Sequence, residues 1–136
     1  MNLKFNSLII FVRDVDQLKS FYTGIFNLQV IEEIKSEWLL LNAGSCNIAL
    51  HKIGQQYLEN AGEFPGQGSN TKMVFDVEED IYQLRDRLLS IGVALQEIKT
   101  FDNFDYFICD GEDPEGNIFQ LRQPKQLLNK IAGSPL

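Results

Sequence analysis

Two cysteines, one histidine and one tryptophan are all that this 136-residue chain supplies of those types. Cys46 and Cys109 stand far apart in apolar runs, without CxxC spacing. They read as reduced core residues of a cytoplasmic protein, not as a disulfide framework or a thiolate metal site. With His51 as the only histidine, a multi-histidine metal centre cannot be assembled. No Ser-His-Asp order, phosphate-cradling glycine loop or helical carboxylate pair is present. Basic residues are outnumbered, 12 Lys and Arg against 19 Asp and Glu, for a net charge of −7. That balance disfavours nucleic acid, because neutralising phosphates needs clustered Lys and Arg. No apolar run approaches the ~18 residues of a membrane span and no leader precedes the first strand. The expectation is a cytoplasmic chain with no membrane partner.

What is present is ordinary globular material, 44% hydrophobic and 23% charged. A chain of this length buries roughly 65–70% of its unfolded surface, so neither metal nor disulfide is needed for folding. It forms one compact domain, or two small modules that share a core. From Lys4 to Val12 alternation predicts a strand, with Leu8, Ile10 and Val12 on one face and Ser7, Ile9 and Phe11 on the other. Both faces are apolar enough to be covered. Asp14 or Asp16 caps a helix carrying Leu18, Phe21, Tyr22 and Ile25, and Gly24 marks its end. Strands follow at Leu28–Ile34, Trp38–Leu41 and Cys46–Lys52, which makes residues 1–52 a β-α-β-β-β module. Residues 53–70, rich in glycine, read as a connector or lid with a helical turn around Gln55–Asn60.

The pattern then restarts over residues 71–123. Lys72–Val77 is a strand, Glu79 or Asp80 opens a helix with Ile81, Leu84, Leu88 and Ile91, and Gly92 stops it. Val93–Ile98, Tyr106–Cys109 and Asn117–Gln123 are strands, and 124–136 is a tail in which Leu127, Leu128 and Ile131 can dock. An offset of 65 lays Ile10 on Phe75, Val12 on Val77 and Leu28 on Val93. With short gaps, Leu39–Asn42 falls over Phe107–Asp110 and Ile48–Leu50 over Phe119–Leu121. This is a repeat of pattern, with few identities. The last two strands are joined by Asp113-Pro114-Glu115-Gly116-Asn117, in which Pro114 pre-sets φ and Gly116 supplies a left-handed residue.

Two such modules, the Val12-Arg13-Asp14 step into a helix ending Phe21-Tyr22, and the closing Asp113–Leu121 segment resemble the vicinal oxygen chelate superfamily. That superfamily contains glyoxalase I, bleomycin- and fosfomycin-resistance proteins and extradiol dioxygenases. The resemblance implies an α+β fold, in which two paired β-α-β-β-β modules form an incompletely closed sheet barrel around a cavity, often in a homodimer. It also implies four metal-ligand positions, which here hold Ser7, Ala49, Lys72 and Gln120. Neutral Ser and Gln are poor ligands, Ala has no donor and Lys is cationic, so no metal and no cofactor are expected.

The remaining polar residues are weighed individually. His51 shares a face with Ala49 and is the candidate catalytic base, although it would need an orienting carboxylate; the other reading is a structural histidine. Lys72 is either a contact for an anionic group, with Ser7 and Gln120 donating hydrogen bonds, or a strand-start lysine reaching solvent. Asp76 and Arg122 share the parity of Lys72 and Gln120 and can pair with each other. The candidate ligand-binding set is Ser7, Phe11, Asn47, His51, Lys72, Gln120 and Arg122, with Trp38, Phe101, Phe104 and Tyr106 as further aromatic residues that line a cavity or fill the core. Two functions fit: a small-molecule binding or sequestering protein with a metal-free cavity, or a lyase or oxygenase of the same family with a metal-independent or rebuilt site. The charge of the ligand stays open. A homodimer is expected, because open sheet edges need covering.

Overall fold

The computed structural model describes residues 1–2, 5–55 and 71–126. The helical turn expected around Gln55–Asn60 and the docking residues Leu127, Leu128 and Ile131 lie outside those residues, apart from Gln55 itself. The chain divides into two compact units, Met1–Pro65 and Gly66–Leu136. Among the described residues each contains one helix and one open four-stranded mixed sheet, the β-α-β-β-β module expected from the repeat.

In the first unit, β1 (Ser7–Val12) leads into α1 (Val15–Gly24), followed by β2 (Gln29–Ile34), β3 (Trp38–Asn42) and β4 (Asn47–Lys52). Asp14 resolves the choice of cap: its carboxylate accepts from the Gln17 amide at 3.0 Å. Val15, Leu18, Phe21 and Tyr22 are the buried stripe of α1, packed on Leu39, Leu41, Ile48 and Leu50 of the sheet. Each such side chain stabilises the fold by about 1.5–3 kcal/mol when fully buried. Gly24 is the last helical residue, as expected, but the left-handed exit is made by Asn27, at φ 58°. The sheet order is β1-β4-β3-β2, with β1 and β4 parallel. Cys46 falls in the turn before β4 and is only partly buried, so it is not a core residue. Ile9 and Phe11 are 46% and 56% exposed, so the expectation that both faces of β1 are covered does not hold among the described residues.

In the second unit, β5 (Met73–Asp76) leads into α2 (Ile81–Ser90), then β6 (Ala94–Leu95), β7 (Tyr106–Glu112) and β8 (Ile118–Pro124), in the order β5-β8-β7-β6. Asp80 caps α2, accepting from the amides of Tyr82 and Gln83. Gly92, at φ 90°, closes the helix while the Val93 amide returns to the Leu88 carbonyl. The strand expected over Val93–Ile98 shrinks to two residues and one bridge between Lys99 and Ile108. Arg85 Nε and Cys109 Sγ both donate to the Gln96 carbonyl, so at this position only the Gln96 amide, which donates to the Asp110 carbonyl at 2.7 Å, keeps the cross-strand pairing. The turn between β7 and β8 is organised by buried Asp113, whose Oδ1 accepts from the amides of Glu115 and Asn117, both at 2.9 Å, while Gly116 sits at φ 82°. Asp113 is thus a turn-building carboxylate.

The repeat extends to hydrogen-bond register. Leu8 lies opposite Ile48 as Met73 lies opposite Phe119, and Phe11 opposite His51 as Asp76 opposite Arg122. The overlay of Leu39–Asn42 on Phe107–Asp110 is off by two residues, since it is Leu40 that pairs with Ala49 as Asp110 pairs with Gln120. A two-residue slip keeps every side chain on its face, so alternation cannot detect it. Turn length decides it, and the two hairpin turns differ in length.

Candidate functional site

Register assigns the polar candidates to the sheet faces turned away from the helices. On the first sheet, Phe11, His51 and Trp38 are neighbours across β1, β4 and β3. Their rings meet: Phe11 and His51 centroids lie 5.3 Å apart, and Trp38 meets His51 edge-on at 5.7 Å. His51 Nδ1 lies 2.8 Å from its neighbour's carbonyl, Lys52 O, so that nitrogen carries the proton and donates. In the tautomer with that proton on Nδ1, Nε2 is the ring's acceptor. A backbone carbonyl, not the carboxylate that the sequence reading asked for, orients the imidazole. Beside the rings opens a pocket of about 740 Å³, lined among the described residues by Phe11, Glu37, His51, Lys52, Ile53 and the following Gly54-Gln55 pair. Glu37 and Lys52 form a loose ion pair at 3.9 Å on its rim.

Ser7 and Asn47 pair at the opposite end of the same two strands. Four residues, or about 13 Å, separate them from the ring cluster. The structure therefore brings Phe11 and His51 together with Trp38 and leaves Ser7 and Asn47 apart from them.

On the second sheet, Lys72, Gln120 and Arg122 share the open face, as parity required, but each is already engaged. Lys72 Nζ donates to Asp110 Oδ2 at 2.7 Å and Gln120 Nε2 donates to Asp110 Oδ1 at 2.9 Å. Burial pushes the Asp110 carboxyl up. The Lys72 and Gln120 hydrogen bonds, with the Lys72 and Lys99 charges, outweigh it and hold the group below its ordinary range. Arg122 pairs with Asp76 through Nε at 2.7 Å and a terminal nitrogen at 3.2 Å, and its guanidinium stacks 4.3 Å above the Tyr106 ring. Tyr106 continues into Phe104 and Phe101, and Phe101 is 58% exposed. Cys109 is fully buried on the opposite face, and burial raises its thiol above the ordinary range despite nearby Arg85.

Asp110 is the residue of this polar cluster that sequence reasoning passed over. Its signal was an acidic residue with the open-face parity of the strand beside Gln120, and its pairing with Gln120 was hidden while the register of that strand was two residues out. The pocket wall at Glu37 and 53–55 was also missed, because loop residues carry no parity.

The four positions at which the resemblance implies metal ligands fail as a donor set. Ser7 and Ala49 offer at most one hydroxyl, and Lys72 and Gln120 turn donor groups toward Asp110. Among the described residues no group of three or more His, Cys, Asp or Glu side chains converges to hold a metal ion.

Compared with known proteins, residues 4–121 match the family described as Glyoxalase/Bleomycin resistance protein/Dioxygenase superfamily. No curated protein matches the sequence. Among solved structures the chain is similar to lactoylglutathione lyase from Agrobacterium tumefaciens, with TM-score 0.66 and 15% identity over 93% of this chain and 97% of that one. It is also similar to the fosfomycin resistance protein FosX from Mesorhizobium loti, with TM-score 0.63 and 15% identity over 91% and 92%. An integron cassette protein from the mobile metagenome of V. cholerae gives TM-score 0.67 and 18% identity over 90% and 97%. At these identities the likeness is one of fold. Among the described residues no helix is long and apolar enough to cross a membrane.

Proposed function

The chain belongs to the glyoxalase/bleomycin resistance protein/dioxygenase superfamily, and from that premise we propose that it binds a small molecule without a metal ion. The binding element of this reading is the ring cluster of Phe11, His51 and Trp38 beside the 740 Å³ pocket. That cluster is the observation that carries the proposal. Phe11 and His51 line the pocket, with Trp38 edge-on to His51, and His51 Nε2 adds one directional acceptor. A ligand with a planar apolar part and an N–H or O–H donor suits both features. Glu37 and Lys52 supply charges of both signs, so neither a cationic nor an anionic ligand is selected by the rim alone. The homodimer expected from the sequence belongs to this reading; sedimentation as a monomer would remove it.

Trp38 is the only tryptophan, so its emission reports on this site. Titration of a library of planar heteroaromatic compounds should find members that change Trp38 emission. Phe11→Ala should weaken them by roughly 2–10-fold, the range of one aromatic contact at about 0.5–1.5 kcal/mol. Binding should survive chelator treatment. A ligand whose affinity is untouched by Phe11→Ala, or is abolished by chelator, would defeat the proposal.

A second reading is favoured by the contact of His51 Nδ1 with the Lys52 carbonyl, which leaves Nε2 as the accepting nitrogen of a ring that lines the pocket: an enzyme in which Nε2 takes a proton from the bound molecule. Turnover of a ligand found in the screen, lost in His51→Gln while its binding persists, would select this reading over sequestration.

A further inference from the structure

We infer that Lys72 is a built-in cation: its ammonium, held by Asp110 beside Gln120, takes the place of a divalent ion at the two ligand positions, 72 and 120, that the family resemblance implies on these strands, and keeps such an ion away from them. Two of the four implied ligand positions are Lys72 and Gln120. Instead of pointing free donors at an empty space, both converge on one carboxylate, Lys72 on Oδ2 and Gln120 on Oδ1. Asp110 supplies the negative charge from the neighbouring strand β7, directly opposite Gln120 in register.

The arrangement is therefore an inverted metal site. The cation is covalently part of the chain, and the residues around it are its ligands. A divalent ion approaching Asp110 would meet an ammonium already 2.7 Å from one oxygen and an amide NH₂ on the other. It would have to displace both and sit beside a positive charge, which like-charge repulsion opposes. Of the other carboxylates on this face, Asp76 is occupied in the same way by Arg122, while Glu112 stands exposed two residues along β7 from Asp110.

The test uses cobalt(II) as the probe, read by its d–d absorption at stoichiometric addition, with folding followed by far-UV circular dichroism. The wild type should show no band. Gln120→Glu alone adds a carboxylate but keeps the ammonium, and should also show none. Lys72→His with Gln120→Glu removes the built-in cation and leaves an imidazole and two carboxylates converging; this double variant should take up one cobalt per chain and show the band. Adding Asp110→Asn to the double variant should abolish it. The inference falls if Gln120→Glu binds cobalt as well as the double variant does, because the ammonium would then exclude nothing. It falls too if the folded double variant binds none. It rests on the metal-free reading of the protein in one respect only: one cobalt per wild-type chain would defeat both. Failure confined to the variants removes the inference and leaves the ligand-binding reading intact.

Discussion

Gln123 is fully buried, and its side chain joins β8 to the start of α2. Its Oε1 accepts from the Ile81 amide at 3.1 Å, while its Nε2 donates to the carbonyls of Val77, at 3.4 Å, and Glu79. The Ile81 amide is one of the orphan donors at a helix start, and Asp80 is occupied with the next two. Gln123→Leu keeps the volume but removes these partners. Ile81 is fully buried, so its N–H would stay unpaired, at about 1–3 kcal/mol. The two carbonyls belong to less buried residues that water can reach, and add about 1 kcal/mol together. The expected loss is about 2–4 kcal/mol out of a total near 5–15 kcal/mol. For a chain of this size it should lower Tm by roughly 6–14 °C. Urea unfolding followed by far-UV circular dichroism measures it, and hydrogen exchange at the Ile81 and Tyr82 amides localises it to the second module. A loss below about 0.5 kcal/mol, the ordinary scatter of surface substitutions, would refute the view that this glutamine holds the helix start.

Three further outcomes are expected. A methyl added at Gly111 would stand 2.5 Å from Phe119 Cζ, 2.6 Å from Leu95 Cδ2 and 2.9 Å from the Ala94 carbonyl; Gly111→Ala should therefore cost about 1–3 kcal/mol, and an unchanged denaturation midpoint would contradict the packing around β6 and β7. Asp110→Asn should cost about 0.2–1 kcal/mol at neutral pH, the range of a pair this exposed. Because the folded carboxyl is held below its unfolded value near 3.9, its contribution is present above that pH and lost as pH falls through the folded value, so wild type and variant should converge in acid. In native protein a thiol reagent should label Cys46 first, since Cys109 is buried with its thiol pushed up; equal labelling rates would argue against that burial.

The two modules were legible in the sequence because each depends on short-range signals. Alternation in Leu8–Val12, helical spacing in Leu18–Tyr22 and Ile81–Leu88, the Asp caps and the Gly92 stop all act within a turn or a strand. The face assignments of Lys72, Gln120 and Arg122 followed from the same alternation, because turning them inward would have put Phe119 and Leu121 into water. Even the loss of metal donors could be read position by position, as a matter of side-chain chemistry alone. What only the tertiary structure decided was partnership. Asp110 meets Lys72 across 38 residues of chain, and Gln123 meets the α2 start across 42. Trp38 reaches His51, and through it Phe11, only because β4 lies between β1 and β3. Parity names the face on which a side chain stands. Register along that face depends on turn length and on how each turn closes, so the neighbours of a charged residue are settled only once the strands have paired.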